Sequence, residues 1–185
     1  MEKIPEQSEF DGLRIVLYGP ESTGKSTLAN QLAAHYQEPQ VSEFARVYLQ
    51  EKMDRTGTVC SFGDIVPIAI GQRESENKAA TQAGRLLFCD TDILETYVYS
   101  TIYFNRAPQE LVRSLKASSY DLYLLMDIDT KWTPDDLRDR PQERKSIFKK
   151  FQQTLEEFKQ PYKIITELGH QRFLNAIAAI DDLLL

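Results

Sequence analysis

Gly19-Pro20-Glu21-Ser22-Thr23-Gly24-Lys25-Ser26-Thr27 fills the pattern GxxxxGK[ST] at every defined position. Leu13-Arg14-Ile15-Val16-Leu17-Tyr18 runs into it as a short, apolar, β-branched stretch, the pattern of a strand buried on both faces. Ser26 to Tyr36 leaves it with Leu28, Leu32 and Ala33 on one helical face. A strand, a glycine-bounded loop and a helix in that order build an anion site. The glycines let backbone N–H groups turn inward, and the helix start adds the positive end of its dipole. In such a loop Lys25 reaches β- and γ-phosphates and the Ser26 hydroxyl ligates Mg²⁺. Gly19, Glu21, Ser22, Thr23, Gly24, Lys25, Ser26 and Thr27 are therefore the candidate nucleotide-binding residues. Average composition gives such a match by chance with a probability of order 1% or less in a chain this long.

Outward from the loop, short apolar runs alternate with helical stretches. Pro39–Ser42 reads as a second strand, Leu86–Cys89 as a third, Leu122–Met126 as a fourth and Tyr162–Ile165 as a fifth. Between them the spacing predicts helices over Phe44–Met53, Phe62–Ala83, Ile93–Phe104 and Glu143–Lys159, with a last one over Arg172–Leu184. Pro67 and Gly71 weaken the first half of the second of these, and residues 105–121 receive no element. The alternation predicts an α/β fold in three layers, a parallel five-stranded sheet covered by helices on both faces.

Ligands of such sheets bind beyond the carboxyl ends of the strands. Three acidic sites fall there: Glu43 after the second strand, Asp90 and Asp92 after the third, Asp127 and Asp129 after the fourth. Asp90, directly after Leu86–Cys89, has the placing of a carboxylate that holds Mg²⁺ with Ser26. It, Thr91 or Asp92 equally suits a helix N-cap before Ile93. Glu43 and Arg46 share a face at the start of a helix. Glu43 and Asp92 are expected to face a ligand bound beyond the strand ends, where either suits the role of accepting a proton. Trp132 to Arg144 carries Arg138, Arg140 and Arg144 outside the apolar pattern, which suits a lid of about 130–145 that closes on phosphates. Asp135, Asp136, Asp139 and Glu143 could instead pair with those arginines on a solvated loop.

Taken together, Gly19–Thr27, Glu43-Phe44-Ala45-Arg46, Ile68-Ala69-Ile70-Gly71-Gln72, Phe88-Cys89-Asp90-Thr91-Asp92 and Trp132…Leu137-Arg138 resemble the NadR-type ribosylnicotinamide kinase domain, a P-loop kinase. The likeness runs from about residue 13 to 180. It implies a nucleoside-kinase-like sheet with a lid, ATP and Mg²⁺ as cofactors, and transfer of a phosphoryl group to the 5′-hydroxyl of nicotinamide riboside. Lys25, Glu43, Asp92 and Arg138 would carry catalysis and Ser26 and Asp90 would hold the metal; Arg140 and Arg144 are expected at the nucleotide site from their position in the loop alone. Arg138 alone among the three arginines matches the family pattern. Where the family's lid carries a glycine, this chain has Asp136. Members with a helix-turn-helix and an adenylyltransferase domain also carry an HxGH motif. Here the two histidines, His35 and His170, stand far apart, so repressor and adenylyltransferase activities are not expected.

The remaining expectations come from size and charge. The 185 residues suit one domain, 11–185, behind a loose leader over 1–10. Cys60 and Cys89 form no metal-binding or disulfide pattern, and Met1–Phe10 lacks the features of a signal peptide, which together suggest a cytoplasmic protein with reduced thiols. A net charge of −6 argues against nonspecific nucleic-acid binding, and the apolar runs are too short to cross a membrane. A small-molecule nucleoside is the expected partner, and oligomeric state is left open. The competing reading is a P-loop ATPase or switch module acting on a protein partner.

Overall fold

The computed structural model describes residues 3–138 and 140–185. Its strands are β1 (Leu13–Tyr18), β2 (Gln40–Val41), β3 (Leu86–Asp90), β4 (Leu122–Met126) and β5 (Tyr162–Ile165). They form one parallel sheet in the order β2-β3-β1-β4-β5. Its helices are α1 (Lys25–Tyr36), α2 (Phe44–Thr56), α3 (Ile65–Ala80), α4 (Ile93–Phe104), α5 (Gln109–Lys116), α6 (Arg144–Glu157) and α7 (Gly169–Leu184). The expected three-layer α/β architecture is what the chain adopts.

The two-residue period of a strand sorts the core. Ile15 and Leu17 of β1, Leu86 and Phe88 of β3, and Leu122, Leu124 and Met126 of β4 pack on one face with Leu28, Leu32, Ala176 and Ile180 of α1 and α7. The alternate residues, Val16, Tyr18, Leu87, Cys89, Tyr123 and Leu125, pack on the other face with Ile65 of α3, Val98 of α4, Leu111 of α5 and Phe151 of α6. Both faces of each central strand are therefore dry, which is why these strands read as unbroken apolar runs.

Three expectations need correction. The helix expected over Phe62–Ala83 begins with a 3-10 turn at Phe62–Asp64 and becomes α-helical only from Ile65. Pro67 then occupies the first turn, where a missing N–H breaks no helical bond. Residues 109–116, to which no element was assigned, form α5, held by Leu111 and Leu115 one turn apart. The leader is not loose over its described residues. Ile4 is buried, Gln7 bonds Glu76 and Ser119, and the Ser8 amide and Glu6 carbonyl are bonded by Asn77 of α3. These polar contacts act together with the buried Ile4 and with Phe10 packed against the core, too few apolar residues to make a pattern in the sequence.

Candidate active site

At the carboxyl end of β1 the chain turns through Gly19–Gly24 into α1, and Gly24 caps that helix in the left-handed region at φ 83°, a conformation that side chains resist. Lys25, the first residue of α1, folds back over the loop. Its ammonium donates to the carbonyls of Gly19 (2.7 Å) and Pro20 (3.1 Å) and pairs with Glu95 at 3.2 Å. The loop is braced from outside by Arg172 of α7, whose guanidinium donates to the Thr23 carbonyl at 2.5 Å and to the Glu167 carbonyl at 2.6 Å and pairs with Asp129. A cavity of about 380 Å³ opens over the loop. Residues 21–27, Glu43, Arg46, Glu95 and Arg138 line one part of it, and Leu49, Ile65, Tyr99, Tyr103 and Phe104 give it an apolar, aromatic end.

The two carboxylates at the end of β3 are held differently, one by the strand and one by the helix that follows. Asp90 alternates with Phe88 and so lies on the α1 face, where the Ser26 hydroxyl bonds it. It is 4% exposed, burial holds its pKa above the usual carboxylate value, and its Oδ1 is buried without a protein partner. Asp92 goes the other way. It is the N-cap of α4, accepting from the Glu95 amide at 3.1 Å and from the Tyr123 hydroxyl at 2.6 Å, and it is 1% exposed. The structure therefore does not bring Asp92 to the cavity, against expectation; the capping alternative describes it.

Glu43 does line the cavity. It ends the β2–α2 turn, where the side chain of Gln72 accepts from the Phe44 amide at 2.8 Å and donates to the Thr91 carbonyl at 3.4 Å. Gln72 thus ties the Glu43 turn to the turn that follows β3. Burial and the nearby Asp90 raise the Glu43 pKa, against the pull of Lys25, Arg46 and Arg138. Glu95, which the sequence reading did not single out, completes the group. Burial raises its pKa well above the usual range, with Glu43 and Asp90 adding to the effect and Lys25 opposing it. Burial works against the Lys25 ammonium, but Glu95, Glu43 and Asp90 outweigh it and raise that pKa. The signal for Glu95 was available: in Ile93–Phe104 it is the lone charged residue of an otherwise apolar, aromatic and hydroxylated helix, and a buried charge needs a partner or a ligand.

The arginine loop lies folded over the phosphate loop. Asp135 pairs with Arg46 of α2 at 2.7 Å and with Arg138 at 3.0 Å, and the Ser22 hydroxyl accepts from the Thr133 amide at 2.8 Å. Of the three arginines named above, Arg138 lines the cavity. Arg144 is engaged elsewhere, donating to the carbonyls of Thr130 (2.7 Å) and Ser22 (3.3 Å). Arg140 stacks over the Tyr103 ring at 4.7 Å and pairs with Glu143 at 3.0 Å. The structure thus turns Arg140 and Arg144 toward protein partners rather than toward the phosphate loop's interior. Asp139, within the expected lid, lies outside the described residues. Asp127 accepts from the Ile128 amide at 2.7 Å and Asp129 pairs with Arg172.

Residues 14–172 match the protein family described as an AAA domain. Over 138 residues, 74% of the chain, the sequence is 29% identical to the trifunctional NAD biosynthesis/regulator protein NadR of Salmonella typhimurium, and to the same extent to that of Escherichia coli. It spans 34% of the length of those relatives. The crystal structure of a NadR protein in complex with NR superposes with a TM-score of 0.72 at 23% identity, covering 92% of this chain and 51% of that one. Thymidylate kinase from Candida albicans gives 0.71 at 16% identity, covering 95% and 93%. The fold is that of the P-loop nucleoside and nucleotide kinases.

Proposed function

The chain belongs to the AAA domain family, and from that premise we propose that it is an ATP-dependent kinase acting on the 5′-hydroxyl of a ribonucleoside, with nicotinamide riboside as substrate and nicotinamide mononucleotide as product. The observation that carries this reading is the single cavity over the phosphate loop, which joins Lys25 and Arg138 to an apolar, aromatic end past Glu43. A phosphoryl donor and a ring-bearing acceptor fit that division. The likeness to NadR supports the choice of acceptor.

Phosphoryl transfer through a loose transition state depends mainly on alignment and on neutralising charge. The backbone N–H groups of the loop and the start of α1 receive the phosphates. Lys25 leaves the carbonyls of Gly19 and Pro20 to meet them, and Arg138 adds a second positive charge from the lid side. Glu43 orients the acceptor hydroxyls. Ser26 and Asp90 suit Mg²⁺, since the hydroxyl and carboxylate already meet and Asp90 keeps one buried oxygen unpartnered, and such an ion takes its remaining ligands from water and phosphate oxygens. Bound there, Mg²⁺ would neutralise phosphate charge. Among the described residues no helix is long and apolar enough to cross a membrane.

The test is incubation with Mg-ATP and a panel of nucleosides, with products identified by mass. Gain of one phosphoryl group by nicotinamide riboside is the expected result. Steady ATP hydrolysis with no phosphorylated nucleoside, and its stimulation by a protein partner, would replace the kinase reading with that of an ATPase module.

A further inference from the structure

Glu95 stands in the first turn of α4 and lines the cavity, yet it is 4% exposed. One oxygen pairs with Lys25 at 3.2 Å; the other, Oε2, is buried with no hydrogen-bond partner. One and two turns along the same helix, Tyr99 and Tyr103 line the aromatic end of the cavity, so Glu95 links the lysine to the acceptor side. A buried carboxylate oxygen without a donor is costly to keep. A donor that enters the cavity from the acceptor side would fill that place. Phosphate oxygens only accept hydrogen bonds from protein groups, so the nucleotide's phosphates cannot; a hydroxyl group can.

We infer that Glu95 is the carboxylate that receives the acceptor's reacting hydroxyl and takes its proton. The inference rests on the kinase reading. When phosphates enter, Lys25 exchanges Glu95 for phosphate oxygens, and both carboxylate oxygens become free for the acceptor. The hydroxyl O–H bond breaks, its proton going to Glu95, as the hydroxyl oxygen forms a bond to the terminal phosphorus. The bond from that phosphorus to the bridging oxygen breaks, and its electron pair leaves with ADP. Glu95 returns the proton to solvent as products depart. Glu43 then keeps an orienting role, and Asp92 has none in the transfer.

The arrangement makes a signature that a merely structural residue would not give. Removing the charge of Glu95 frees Lys25 for the phosphates, so nucleotide affinity holds or rises while turnover falls. The experiment compares wild type with Glu95→Gln and Glu95→Asp, measuring calorimetric affinity for Mg-AMP-PNP, kcat with nicotinamide riboside, Mg²⁺ dependence and unfolding temperature. Expected for Glu95→Gln is analogue affinity at or above wild type and a kcat lower by about 100-fold. Glu95→Asp, which keeps the charge beside Lys25 but shortens its reach, should bind the analogue normally and lose at least about tenfold in kcat, and it carries the test if Glu95→Gln does not fold. A kcat within threefold of wild type in the folded variants, parallel loss of analogue affinity, or recovery at high Mg²⁺ would overturn the assignment. If wild type phosphorylates no nucleoside, the kinase reading itself falls before any variant is compared.

Discussion

Asp90 and Asp92 are two residues apart and answer to different requirements. Asp90 is the last residue of β3, faces α1 and leaves a buried oxygen unpartnered beside Ser26. Asp92 has every visible obligation met by protein, capping α4 and accepting from Tyr123. Substitution should separate the two. Asp90→Asn should raise the Mg²⁺ requirement for turnover with little change in unfolding free energy. Asp92→Ala should lose roughly 1–2 kcal/mol of stability through the missing cap and the stranded Tyr123 hydroxyl. Burial also raises the Asp92 pKa from 3.8 to about 6, against the bonds from Tyr123 and Glu95. The folded state then binds this proton more tightly than the unfolded state does, so the stability it contributes is present below pH 4 and is lost as pH rises toward 6. Denaturant unfolding of wild type and Asp92→Asn at pH 4.5 and 7 checks the sign: wild type should lose stability relative to the variant over that interval. An unchanged difference would show that Asp92 is not the group that titrates there.

At the scale of elements, the proposed lid is tied down by one carboxylate. Asp135 joins Arg46 of α2 to Arg138, and Arg138 also donates to the Thr133 carbonyl at 2.7 Å. Arginine and aspartate are thus already engaged before nucleotide arrives, and closure on phosphates requires Arg138 to change partners. Asp135→Asn should weaken both ion pairs, so amide hydrogen exchange over 130–138 should quicken in the free protein and slow again with Mg-ATP and acceptor. Arg138→Ala should lower kcat by about 100-fold and weaken ATP binding much less, because a group that meets developing charge acts mainly on the transition state. Equal losses in both constants would reduce Arg138 to a binding residue. Exchange that ignores ligand would make the segment a static loop. The charged loop was legible in the sequence because it interrupts the apolar pattern; its partners were not, since Arg46 lies 89 residues from Asp135. The same distinction runs through the fold. Continuous apolar strands announced a sheet covered on both faces, and the glycine-bounded sequence announced the turn from β1 into α1, because both are local patterns. The direction of a side chain beyond a strand end, the brace from Arg172 and the packing of residues 3–10 arise from contacts made only after folding. Glu95 stood between these cases: its helix was evident, and its solitary charge was the clue.

Across the whole molecule, β1 is central, with β3 on one side and β4 on the other, so the crevice beyond their ends gathers what each connection carries. The β1–α1 turn brings Lys25, the β2–α2 turn brings Glu43, α4 brings Glu95 and the loop after β4 brings Arg138 to the cavity, while β3 sets Asp90 behind it against Ser26. Three buried or half-buried carboxylates thus crowd one lysine, and burial or mutual repulsion raises all three pKa values. A nucleotide alone would add phosphate charge of the same sign as these carboxylates. Binding should therefore depend on Mg²⁺ beyond any single contact. Mg-ATP at about 100 times its dissociation constant should stabilise the fold by roughly 2.7 kcal/mol, which for a chain of this size is an unfolding temperature higher by about 5–10 °C. ATP with EDTA should give far less, and Mg²⁺ without nucleotide almost nothing. Adding nicotinamide riboside to Mg-AMP-PNP should raise the temperature further, because the aromatic end of the cavity and the unpartnered oxygen of Glu95 are filled only then. A full shift from metal-free ATP would mean that the carboxylates do not face the phosphates, and the assignment of this crevice to phosphoryl transfer would fail with it.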